Sequence, residues 1–119
     1  MTRIIPLCPV ESIAEPGSRA FALGELEGFI VRKDGEIRAY RDSCPHTGVP
    51  LAWPPGGHLD ADGALIQCAM HGALFLPDTG ECVHGPCVGR FLEPLPVRVA
   101  QGVVELLADA RLAEELDED

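Results

Sequence analysis

The sequence predicts an all-β fold of antiparallel sheets interrupted by a loop-rich insert. Three observations carry that prediction. Up to Tyr40 the chain consists of short apolar runs broken by turn residues. From Arg41 to Arg90 long apolar runs give way to Gly, Pro, Cys and His. After Phe91 the strand pattern resumes and returns to the first sheet.

The opening runs are Ile4-Ile5-Pro6-Leu7, Ala20-Phe21-Ala22-Leu23, Phe29-Ile30-Val31-Arg32 and Ile37-Arg38-Ala39-Tyr40. Between the last two, Lys33-Asp34-Gly35-Glu36 carries the Asp-Gly signal of a tight hairpin, because both residues tolerate the positive φ such turns need. Phe91 to Val99 and Val103 to Leu107 read as strands separated by Gln101-Gly102. Ala108, Leu112 and Leu116 are spaced for one face of a short C-terminal helix. Its last residues are acidic, which the helix dipole disfavours at a C-terminus, so a frayed end is expected.

With 119 residues the chain suffices for one modest core and not for two. It is read as a single domain, 1–119. Residues 1–40 and 91–107 form a basal sheet, 41–90 the insert and 108–119 an acidic tail. No window approaches the roughly 20 apolar residues of a membrane helix, and Met1 to Pro6 do not start a leader, so a soluble, unexported protein is expected. Nine basic against 19 acidic residues give a formal charge of -10, a field that repels nucleic acid and anionic membrane and attracts a basic docking face. The five cysteines, Cys8, Cys44, Cys68, Cys82 and Cys87, are odd in number. Two of them stand beside histidines at ligand spacing, which suits a reducing, cytoplasmic compartment better than a disulfide scaffold.

Cys44-Pro45-His46 and Cys68-Ala69-Met70-His71 read as two halves of one metal site, each loop offering one sulfur and one nitrogen. Such a donor set holds zinc tetrahedrally, or it divides between the two irons of a [2Fe-2S] cluster. The neighbours discriminate. Cys44-Pro45-His46-Thr47-Gly48 and Cys68-Ala69-Met70-His71-Gly72-Ala73-Leu74-Phe75, followed by Thr79-Gly80 and Gly85-Pro86, closely resemble the Rieske iron-sulfur family. The order of sheet, two-loop insert and sheet matches it as well.

That resemblance implies one [2Fe-2S] cluster per chain, with Cys44 and Cys68 on the inner iron and His46 and His71 on the outer one. It implies that Gly72 lets backbone pack against the cluster, that Phe75 and Thr79-Gly80 form the strand and turn after the second loop, and that Gly85-Pro86 covers the cluster from a third side. High-potential members carry an extra cysteine in each cluster loop, where this chain has Val49 and Met70. They also carry a Ser and a Tyr where it has Ala73 and Phe75. Without those hydroxyl donors the reduced cluster is less stabilised, so the potential is expected toward the low end of the roughly -150 to +300 mV Rieske range. The ferredoxin-like branch, soluble carriers for oxygenases, is the one implied.

The connection from His46 to Cys68 is long, its extra length lying in residues 53–63, where Trp53 is placed to shape a partner contact. Asp60-x-Asp62-Gly63 lacks the remaining ligands of a calcium loop and reads as a turn, and His58 as a solvated loop residue. Cys82 and Cys87 bracket Val83-His84-Gly85-Pro86 and have three readings: apolar filling, a local disulfide, or a second metal with His84. Cys8 reads as core.

The function expected is single-electron transfer from a reductase to an oxygenase or other terminal oxidoreductase. The chain reads as a non-catalytic component, since His58 and His84 do not make the additional two-His, one-carboxylate iron site of an oxygenase. The alternatives are a small Rieske-like subunit of a nitrite-reductase-type complex and a zinc-bound structural or interaction module. Neither the partner's identity nor the oligomeric state is written in the sequence.

Overall fold

A computed structural model describes residues 2–24, 26–42, 59, 63–68, 73–85, 87–109 and 112. The order is β1 (Arg3–Pro9), a 3-10 turn at Val10–Ser12, β2 (Gly17–Leu23), β3 (Leu26–Lys33), β4 (Glu36–Arg41), β5 (Ile66–Gln67), β6 (Leu74–Phe75), β7 (Cys82–His84), β8 (Pro94–Leu95), β9 (Val97–Ala100) and β10 (Val103–Ala108). All pairings are antiparallel, in three sheets ordered β1-β10-β9, β2-β3-β4-β8 and β5-β6-β7. The all-β prediction holds. No helix among the described residues is long and apolar enough to cross a membrane.

The β2-β3-β4-β8 sheet is buried on both faces. Successive side chains of a strand point to opposite sides. Along β3, Phe29 and Val31 accordingly enter one core with Tyr40, Ile66 and Phe75, while Ile30 enters a second with Ala39, Val104 and Leu106. This explains why Phe29-Ile30-Val31 is a continuous apolar run rather than an alternating one. The first core joins the central sheet to β5-β6-β7, and the second joins it to β1-β10-β9. Cys8 lies in the second core and is buried, as the sequence suggests.

Local signals fix the hairpins. Asp34 and Gly35 both have positive φ, 54° and 79°, and join β3 to β4 with Lys33 opposite Glu36, the turn that Asp-Gly predicts. Gln101 and Gly102 repeat the arrangement between β9 and β10.

Three expectations are corrected. Residues from Phe91 to Val99 are two strands, not one. Pro96 lacks the N–H a ladder needs, and there the chain leaves β4's sheet at β8 and enters β10's sheet as β9. The flanking regions consequently make two sheets rather than one basal sheet. Ala108 closes β10 instead of opening a helix. Leu112 is helical, and its backbone N–H donates to Asp109 Oδ1 at 3.0 Å, an N-cap-type bond. Apart from Leu112, residues 110–119 lie outside the described residues.

Candidate metal centre

β4 precedes the first predicted ligand pair, Cys44 and His46, in the sequence. At its end Arg41 N–H donates to Glu93 O and Asp42 N–H to Glu27 O, both at 2.9 Å, so the strand is held from both sides just before Cys44. The Arg41 guanidinium adds a contact to Glu93 Oε2 at 3.2 Å. Cys44 and His46 lie outside the described residues, as do Val49, Trp53, His58, Met70, His71, Gly72 and Pro86.

The second predicted ligand pair, Cys68 and His71, falls between β5 and β6. Ile66 faces Phe75 and Gln67 faces Leu74. The next rung is Cys68 N–H donating to Ala73 O at 2.8 Å. Backbone pairing thus continues to Cys68 and resumes at Ala73, and the chain between the two contains His71. Cys68 is completely buried, in a core with Phe29, Ile66, Phe75, Cys82 and Leu92. A sulfur there is shielded from water, which suits a soft thiolate ligand on the inner iron. Ala73 and Phe75 are likewise fully buried and offer no hydroxyl.

The chain's one tyrosine is engaged elsewhere: Tyr40 O–H donates to Pro77 O at 2.8 Å. Burial pushes its pKa up to about 12. The segment it holds is the expected strand-turn, in which Gly80 N–H donates to Leu76 O and Thr79 Oγ1 accepts from Glu81 N–H.

The turn after β7 presses on Ala73. Gly85 has a φ of +105°, and a Cβ there would stand 2.8 Å from Cα of Ala73. Only glycine combines that backbone with that approach. Gly85 therefore sits against the residue that closes the Cys68 loop.

Among the described residues no three His, Cys, Asp or Glu side chains converge on a metal position, because of the four predicted ligands only Cys68 is described. Cys82 and Cys87 are fully buried with sulfurs 2.9 Å apart, while His84 is exposed, an arrangement that does not gather all three around one ion. One feature went unread in the sequence: Val83, Val88 and Phe91 project into solvent from the hairpin 81–91. Apolar residues scattered through a Gly- and His-containing loop were the available signal.

The donor chemistry fits a Rieske cluster. Two thiols and two imidazoles are present in sequence, and the described thiol is buried in an apolar setting suited to an inner-iron ligand. A family model described as "Rieske [2Fe-2S] domain" matches residues 3–103. The ferredoxin component of the alkene monooxygenase system of Xanthobacter autotrophicus is 32% identical over 100 residues, 84% of this chain and 77% of that protein. The terminal oxygenase of carbazole 1,9a-dioxygenase from Nocardioides aromaticivorans superposes with a TM-score of 0.74 at 29% identity, over 90% of this chain but only 30% of that one. The ferredoxin of the same system superposes at 0.71 over 88% of this chain and 96% of its own; at 22% identity that is a likeness of fold.

Proposed function

We propose, from the premise that this chain belongs to the Rieske [2Fe-2S] domain family, that it is a ferredoxin carrying single electrons from a reductase to an oxygenase or other terminal oxidoreductase. The observation that carries this reading is the extent of the match to a ferredoxin component, 84% of this chain and 77% of the relative. The oxygenase, by contrast, is matched over a minority of its length.

Cys44 and Cys68 would hold one iron, and His46 and His71 the other. The cluster supplies one-electron acceptance and release. The chain's own residues set its surroundings. Phe29, Ile66 and Phe75 exclude water from the Cys68 side. Ala73, Phe75 and the occupied Tyr40 hydroxyl leave those positions without a side-chain O–H donor, which favours a potential low in the family range.

The partner surface is read from charge and exposure. A formal charge of -10 steers a basic partner to a weak, fast-exchanging contact. Val83, Val88 and Phe91 give the 81–91 hairpin an exposed apolar rim against which an oxygenase or reductase would dock. The reading includes a cytoplasmic location and a single domain, with 41–90 as the cluster-binding insert.

Anaerobic purification followed by rapid mixing with reductase and oxygenase tests this. The expected result is oxygenase reduction that depends on the carrier and slows as salt is raised. Oxygenase reduction at the same rate without this protein would refute it.

A further inference from the structure

The sulfurs of Cys82 and Cys87 make a chain of donors: Cys87 S–H donates to Cys82 Sγ at 2.9 Å, and Cys82 S–H to His84 O at 3.3 Å. Both residues are 1% exposed. Their backbones are held together by the hairpin that carries them. Cys82 N–H donates to Arg90 O at 2.8 Å, Gly89 N–H to Cys82 O at 3.4 Å, and Arg90 N–H to Cys87 O at 2.9 Å. A disulfide needs the sulfurs at about 2.05 Å, so the pair stands about 0.9 Å from bonding distance.

We infer that Cys82 and Cys87 are a reversible oxidation site whose disulfide locks the turn after β7 onto Ala73. Hydrogen peroxide is the oxidant class. One thiolate attacks the O–O bond, giving a sulfenic acid and, with a proton, one water. The second thiol condenses with it, forming the S–S bond and releasing a second water. Two thiols thus lose two electrons and two protons, and the peroxide takes up both. A thioredoxin-class dithiol reverses the reaction by exchange.

Geometry selects this pair. Cys8 belongs to the other core, across the β2-β3-β4-β8 sheet. Cys68 shares a core with the pair but closes its own loop through Ala73. The consequence follows from Gly85, which lies inside the 82–87 ring and packs on Ala73. With thiols, the ring is held by backbone bonds and sulfur contacts. With a covalent bond, Gly85 cannot withdraw from Ala73 without deforming the ring. That this restrains a cluster loop rests on the carrier reading above, whereas the oxidation itself does not.

Cleavage after glutamate isolates the question, because the Glu93-Pro94 bond is not cut and the fragment Cys82–Glu105 contains only these two cysteines, while Met1–Glu11 contains only Cys8. Holo protein is treated with peroxide, quenched in acid, alkylated and digested. The expected Cys82–Glu105 fragment carries no alkyl group and is lighter by two hydrogens, while Met1–Glu11 remains alkylated. Dithiol treatment restores two alkyl groups to the first fragment. In Cys82→Ser and Cys87→Ser proteins the light fragment does not form. Amide exchange at Cys82, Gly89 and Arg90 slows by about tenfold on oxidation.

A doubly alkylated Cys82–Glu105 fragment at peroxide doses that already oxidise Cys8 would overturn the site. Unchanged exchange in the disulfide form would overturn the lock. Neither fragment's mass depends on the bound metal, so a failure here is distinguishable from a failure of the electron-carrier reading.

Discussion

Cys68 N–H donates to Ala73 O at 2.8 Å across the segment that separates them, and both residues are completely buried. This bond spans the segment that carries His71, and Gly85 packs against its Ala73 end.

Gly85→Ala is expected to destabilise the fold by roughly 1–3 kcal/mol, since it combines a left-handed backbone with a Cβ 2.8 Å from Cα of Ala73. Gly89→Ala, whose φ is also positive but whose Cβ meets nothing within 4 Å, should cost only about 1 kcal/mol. Denaturant midpoints of the two variants measure the difference, and the Gly85 variant should also lose its visible absorption first on warming.

Tyr40→Phe removes the hydrogen bond to Pro77 O and should cost about 1–2 kcal/mol. The tyrosine also sets an alkaline dependence. Its pKa is about 12 in the folded protein against 10.0 ordinarily, so its contribution is fully present below pH 10.0 and is lost as pH rises toward about 12. There the unfolded chain has given up a proton that the folded one keeps. Urea titrations between those pH values should show falling stability, and Tyr40→Phe should flatten the fall.

Ala73→Ser should raise the midpoint potential by returning a hydroxyl donor to the position where high-potential members have one. Protein-film voltammetry of the two proteins reads the shift. A lower potential in the serine variant would contradict the account of why this site is poor in donors. Cys8→Ala, in the other core, should leave the potential unchanged.

The parts of this architecture that were legible in the sequence are those set by local chemistry. Asp34-Gly35 announced its hairpin because the backbone twist of that turn demands positive φ at both residues. The paired Cys and His spacing predicts a ligand set, and of its four residues only Cys68 lies among the described ones. What depends on distant pairing was not legible. The strands β5, β6 and β7 hold two or three residues each, too few for an alternating pattern to show. The break at Pro96 was hidden inside one apolar run, because the sequence does not say that two sheets meet there. Cys82 and Cys87 are brought together by pairing with Arg90, which no spacing rule contains.

The central claim is that the Cys44, His46, Cys68 and His71 set holds an iron-sulfur cluster, and it is tested most directly by metal and sulfide analysis with reductive EPR on anaerobically purified protein. The account predicts two irons and two labile sulfides per chain, a red-brown colour and the Rieske-type signal on one-electron reduction. A colourless protein holding one zinc per chain, silent on reduction, would contradict it.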